Sequence, residues 1–332
     1  MKKALALVLV IVCAFAVFAN GGEEKNPSSS TAKAKDVYFT IGTAGTSGAL
    51  YPMGIAMAQT LTDHIPNWYV TGEATAASIA DIKGLKDGSF KMAISQTEVA
   101  SLAYRGVGGY EGNAVPELRA LFSTIYNYLQ VFTLEGKGIN SIYDLKGKTV
   151  SLGSAGSGGQ MMAQLLLDCY GISLSDINAQ YMSEADGVAA IKDGKIDAMI
   201  ATNPINSASL KELVTSAKAK MLDVDNPAFY KEVPAYTMYT LPAGTYEGIN
   251  YDVTIPKARI IMITTADAFT EEEAYLVTKT IWENRSEWES SAKAVARDVV
   301  LETALEEIDI PLHPGAIKYF KEIGKTIPEA LQ

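Results

Sequence analysis

Two short stretches, Gly42-Thr43-Ala44-Gly45-Thr46-Ser47-Gly48 and Gly153-Ser154-Ala155-Gly156-Ser157-Gly158-Gly159, concentrate residues suited to gripping a small solute. Glycines let a backbone approach a ligand closely, and a helix that opens directly after such a loop has N–H groups without intrahelical acceptors. Those groups favour an anion. Thr43, Thr46, Ser47, Ser154 and Ser157 add neutral hydroxyls, so a carboxylate can be held by backbone and hydroxyl donors without a buried arginine. For either loop alone, plain turning and N-capping explain the same residues. Their pairing is what favours a ligand.

Other chemistry fits poorly. The spacing of Gly42, Gly45 and Gly48 is not the dinucleotide Gly-x-Gly-x-x-Gly pattern, and neither loop ends in the Lys-Ser/Thr of a phosphate-binding loop. With only His64 and His313 in the chain there is little from which to build a Ser/His/Asp relay or a histidine metal site, and no Gly-x-Ser-x-Gly elbow occurs. His64, beside Asp63 and Pro66, reads as a charge at a helix C-terminus. The expectation is a binding protein that is not an enzyme, with no cofactor and no metal.

The elements that must position these loops recur with them. Tyr38 to Ile41 reads as a strand before the first loop, and an apolar-periodic stretch through Met53, Met57 and Leu61 follows it. Thr149 to Leu152 and a stretch through Met162, Leu165, Leu166 and Cys169 flank the second loop in the same way. Gly42, Ala44, Gly45 and Gly48 reappear as Gly153, Ala155, Gly156 and Gly159. Each half then carries a Lys-Asp-Gly turn, at Lys86-Asp87-Gly88 and Lys192-Asp193-Gly194, leading into a buried strand at Phe90 to Ile94 or Ile196 to Ile200. We therefore expect an α/β protein of two lobes, each of βα units around a mainly parallel sheet, with the loops at the carboxyl edges where ligands usually bind.

Leu118 to Leu134 is the expected first crossing between lobes and Ala258 to Thr265 the second, before the helix signal Thr270-Glu271-Glu272-Glu273. Lobe 1 is then discontinuous, residues 37–130 with 258–332, and lobe 2 spans residues 131–257. Three more polar clusters fall near the cleft in this topology: Thr75 to Ser78, Ser95 to Glu98, and Thr202-Asn203. Glu98 reads as a first-turn acid complementing a helix dipole, or as the partner of a solute amine. Tyr51, Tyr126, Tyr128 and Tyr236 are pocket walls or core. The solute-binding set is Thr43, Thr46, Ser47, Gly48, Tyr51, Thr75, Ser78, Gln96, Ser154, Ser157, Gly158, Gly159 and Thr202.

Met1-Lys2-Lys3, the apolar Ala4 to Val17 and the small Ala19 form the pattern of a secretory signal over residues 1–19, with a tether over residues 20–36. The expected location is periplasmic or otherwise extracytoplasmic. Cleavage would remove Cys13 and leave only Cys169, which excludes an internal disulfide; Asn20 stands where a lipidated cysteine would suit. The formal charge of −10 disfavours nucleic acid as a partner. A monomer is expected.

These motifs resemble the TAXI solute receptors of tripartite TRAP transporters, which have the type II periplasmic-binding-protein fold. The resemblance covers nearly the whole mature chain. It is carried by Gly42 to Gly48 with Tyr51-Pro52-Met53-Gly54, by Thr75 to Ser78, by Ser95-Gln96-Thr97-Glu98-Val99-Ala100, by Gly153 to Gly159 and by Asp193-Gly194-Lys195-Ile196-Asp197-Ala198. Pro242-Ala243-Gly244-Thr245-Tyr246 and Pro311-Leu312-His313-Pro314-Gly315-Ala316 complete it. It implies two α/β domains joined by two crossing strands, hinge closure on a small carboxylate such as a glutamate-like amino acid or dicarboxylate, and delivery to a TRAP-type membrane permease. Two departures stand out: the family's Thr-Gly-Gly-Ser is Thr75-Ala76-Ala77-Ser78 here, and Asn203 replaces a common glycine. His313 to Ala316 reads as a turn opening the last helix. A secreted surface antigen or adhesin that keeps the fold without transport is the alternative.

Overall fold

Two long antiparallel strands, β4 (Leu118–Leu134) and β10 (Val253–Thr265), organise the molecule. In this computed structural model residues 35–46, 48–289 and 299–332 are described, so the expected signal (1–19), most of the expected tether (20–36) and Ser47 lie outside the described residues. One ten-stranded sheet runs in the order β2-β1-β3-β10-β4-β7-β5-β6, with β8 (Ala219–Leu222) added to β4 and β9 (Thr237–Leu241) to β10.

Each long strand serves both lobes. The second half of β10 pairs with β3 (Met92–Gln96), and its first half pairs with β9. The far end of β4 pairs with β7 (Ala198–Asn203) and β8. β4 coincides with the expected first crossing, while β10 begins five residues before the expected second one, at Val253. Where they meet, the register shifts twice, between Arg259 and Ile261 and between Met262 and Ile263, the kind of irregularity that bends a sheet.

Lobe 1 stacks β1 (Val37–Gly42) between β2 (Trp68–Glu73) and β3 with all pairings parallel, and lobe 2 places β5 (Thr149–Ser151) between β6 (Asn178–Gln180) and β7 in the same sense. Parallel neighbours require helical crossovers. In lobe 1 these are α1 (Leu50–His64) and α2 (Ser78–Lys86), and α3 (Thr97–Arg105) leads from β3 into β4. In lobe 2 they are α4 (Gly158–Cys169) and α5 (Glu184–Lys192), and α6 (Ala208–Ser216) leads from β7 into β8, with the short α7 (Pro227–Glu232) beyond. Met53, Met57 and Leu61 stand at i, i+4 and i+8 on α1 and are fully buried, the stripe that the sequence period requires.

After β10 the chain returns to lobe 1 through α8 (Glu271–Glu283), α9 (Arg285–Glu289) and α10 (Pro314–Glu322). Thr270 and Glu273 close a capping box on α8, as their spacing anticipates. His313 opens α10: its Nδ1 accepts the Gly315 N–H at 3.2 Å, so it serves as a cap. His64 ends α1 and bonds Glu287 at 2.8 Å.

Candidate functional site

A cavity of about 190 Å³ lies where the carboxyl ends of both parallel strand groups meet the helices that follow them. That is below the roughly 300–1,000 Å³ of drug-sized ligand sites and suits a small solute. Lobe 1 contributes Thr43, Gly48, Ser78, Ser95 and Gln96; lobe 2 contributes Ser151, Gly153, Ser154, Ser157, Gly159, Glu184 and Thr202; the crossing strands add Asn127 and Ile260. Eight of the thirteen expected residues therefore converge on one space: Thr43, Gly48, Ser78, Gln96, Ser154, Ser157, Gly159 and Thr202.

The second loop is the better anion cradle. Ser157 caps α4, its Oγ accepting the Gln160 N–H at 3.1 Å and its carbonyl accepting the Met161 N–H. The N–H groups of Gly158 and Gly159 then have no acceptor among the described residues, as expected of a helix's first turn. The Thr202 hydroxyl at the end of β7 is buried and unpartnered, and Gly159 abuts it. A buried polar atom without a partner is costly unless something supplies one.

The twin loops do not share a geometry, a correction to the expectation of two matching helix ends. Gly153 (φ 92°) and Gly156 (φ 73°) adopt left-handed backbone, whereas Gly42, Gly45 and Gly48 do not. α4 begins one residue after Ser157, but α1 begins only at Leu50, behind an Ala49 that offers no side-chain cap. Thr43 lines the cavity with its donors already spent, its N–H and its hydroxyl both bonding the Glu73 carbonyl, at 3.1 and 2.7 Å. In lobe 1 the polar lining comes instead from Ser78 and Gln96, where the Ser78 Oγ accepts the Gln96 N–H at 3.0 Å.

Four expected residues fall outside the lining. Thr46 is exposed on the loop, and Tyr51 lies half-buried in α1, because that helix starts later than the matching of the loops implies. Thr75 uses its hydroxyl to accept the Ala77 N–H at 2.9 Å, which closes the turn into α2. Gly158 is buried against Gln96 and Val99 of the other lobe, so closely that a side chain there would collide. Tyr126, Tyr128 and Tyr236 are likewise not walls. Tyr126 stacks under Arg259, 3.6 Å from ring centre to guanidinium, Tyr128 packs in the lobe 2 core, and Tyr236 is buried against Glu98.

Among the described residues no lysine or arginine lines the cavity. The buried Arg259 nearby gives Nη1 to the Thr124 carbonyl at 2.7 Å and Nη2 to Glu306 at 2.9 Å, while its Nε–H has no partner among the described residues. Glu98 is a buried residue bonded by Tyr236, and burial pushes its carboxyl up to about 7. Ala77 belongs to the expected Thr75 to Ser78 cluster, whereas Glu184, which lines the cavity, is not among the residues expected from the sequence. The cap Ser183, whose Oγ accepts the Asp186 N–H at 3.2 Å, was the available signal that a helix opens there with an acid in its first turn.

Residues 41–324 match the model of the NMT1-like family. Among solved structures, a Bordetella bronchiseptica protein aligns at 17% identity and a TM-score of 0.52 over 89% of this chain and 91% of its own. A Xanthomonas citri protein bound to ATP aligns at 14% identity and 0.52, over 87% and 96%. The alkanesulfonate-binding protein SsuA from Xanthomonas axonopodis pv. citri, bound to MOPS, aligns at 15% and 0.47, over 87% and 92%. At such identities the likeness to the first two is one of fold.

Proposed function

The chain belongs to the NMT1-like family, and from that premise we propose that it is an extracytoplasmic solute receptor that closes on a small carboxylate and delivers it to a membrane permease. One observation carries this reading: the free N–H of Gly159 and the unpartnered Thr202 hydroxyl meet at a cavity that, among the described residues, has no basic side chain. A carboxylate takes several neutral donors at once, and in a dry site such charge-assisted bonds are roughly twice as strong as neutral ones. Binding rather than turnover is the activity.

The crossing strands β4 and β10 act as the hinge, since each joins both lobes and their shared register is broken near Arg259. Closure is favoured by a solute that touches Ser78 and Gln96 on one side and Gly159 and Thr202 on the other, because only the closed form supplies both sets. The motifs from Gly42 to Tyr51 and from Ser95 to Ala100 support a TRAP-type permease as the recipient.

The test is calorimetry and thermal unfolding of the mature chain with L-glutamate, 2-oxoglutarate, succinate and pyruvate. We expect at least one to bind and to stabilise the fold by about 2.7 kcal/mol at a concentration of 100 Kd. No binding and no stabilisation across the panel sinks the reading. With the carboxylate that binds, Thr202→Val should weaken affinity about tenfold without loss of stability, because the hydroxyl it removes has no protein partner.

A further inference from the structure

The cavity is lined by a single charged side chain among the described residues, and that charge is negative: Glu184, the first residue of α5. Its Oε1 accepts from the Ser207 hydroxyl at 2.8 Å, and its Oε2 accepts from the Asn203 side-chain amide. These donors, and the Ser209 hydroxyl that also acts on the carboxyl, are neutral. Burial raises its carboxyl above the usual carboxylate range, and no cation acts on it in the opposite direction. An acid placed only to complement the α5 dipole or to tie the start of α6 to β7 has no need to sit in a cavity. Buried charges are normally paired.

The opposite polarity lies beside it in the same lobe. The N–H of Gly159 and the Thr202 hydroxyl suit an anion, and Thr202 is the chain neighbour of the Asn203 that holds Glu184. One small cavity thus offers donors for a carboxylate and, in Glu184, a carboxyl whose described partners are all neutral. Glu98, the acid that the sequence suggested for an amine, is bonded to Tyr236 and does not line the cavity.

We propose that Glu184 receives the ammonium group of the solute, which makes the ligand a zwitterionic α-amino acid and not a dicarboxylate or 2-oxoacid. The inference rests on the carboxylate reading given above and adds the second pole. A dicarboxylate would set another anion against Glu184, and a 2-oxoacid would leave it unpaired.

Matched pairs that differ only at the α position decide it: L-glutamate with 2-oxoglutarate, and L-alanine with pyruvate, by calorimetry. For whichever pair binds, the amino acid should bind at least about tenfold tighter, the gain from a hydrogen bond between charged groups. Glu184→Gln should weaken amino-acid binding more than oxoacid binding and so abolish that preference, whereas loss of a structural tie alone would weaken both alike. Equal or tighter oxoacid binding by the wild-type protein overturns the inference without any variant, as does a preference that survives the substitution. If no member of either pair binds while succinate does, the carboxylate reading stands and the ammonium role of Glu184 falls. If nothing binds, both fall together.

Discussion

The Tyr236 hydroxyl donates to Glu98 Oε1 across 2.7 Å, in a fully buried contact between the chain entering β9 and the first turn of α3. The second carboxylate oxygen of Glu98 has no partner. Neither residue lines the cavity, so the pair is a buried tie between distant parts of the chain. Burial holds Glu98 near 7, above its unfolded value, so the folded state keeps a proton that the unfolded chain releases. Stability from this group is therefore full below about pH 4.5 and declines as pH rises towards 7. Tyr236→Phe should cost about 1.5–3 kcal/mol in urea unfolding at pH 8, where the carboxylate loses its one donor, and less at pH 5. An equal loss at both values would show that the hydroxyl does not serve the ionised form.

Asp81 on α2 is buried, neither carboxylate oxygen has a hydrogen bond of good geometry, and the Thr75 hydroxyl offsets its burial only in part. Burial pushes it up to about 8. The sign is the same as for Glu98, with a window from about pH 4 to pH 8. Asp81→Asn should thus stabilise the protein at pH 8, by an amount on the order of 1–4 kcal/mol, and change little at pH 4. Melting curves across that range check it; a constant offset between variant and wild type would contradict the assignment.

Ala77 holds φ 72° and ψ −156° at the entrance of α2, a backbone region suited to glycine, and it lines the cavity. Such strain costs about 1–3 kcal/mol, while glycine's greater unfolded freedom returns roughly 0.5–1. Ala77→Gly should raise the melting temperature. A fall would mean that packing of the methyl outweighs the strain.

Gly158 sits so close to Gln96 and Val99 that a Cβ would meet Val99 at 2.8 Å. Gly158→Val should hold the lobes apart, weakening solute affinity by about tenfold or more, since closure supplies half of the contacts. Small-angle scattering should then show no compaction on adding a solute that compacts the wild type. Wild-type compaction in the variant would exclude Gly158 from the closing surface.

The sequence determined the elements. Strand, loop and helix follow in order twice, Leu118 to Leu134 is a strand to the residue, and the Thr270 box starts α8, because apolar period and capping act over a few neighbours. The same short-range signals placed Ser157, Gly159 and Thr202 at a carboxyl edge, where the cavity lies. Tertiary structure decided the rest. Two loops of nearly the same sequence diverge: the first lies beside Glu73 at the end of β2 and spends Thr43 there, while Gly153 and Gly156 curl the second into a helix cap. Which acid faces a solute was equally out of reach. Glu98 goes under a tyrosine 138 residues away, and Glu184 reaches the cavity through partners 19 and 23 residues on. A side chain's surroundings are set by distant segments, and its charge, hydrogen bonds and exposure follow from them and not from its neighbours in the chain.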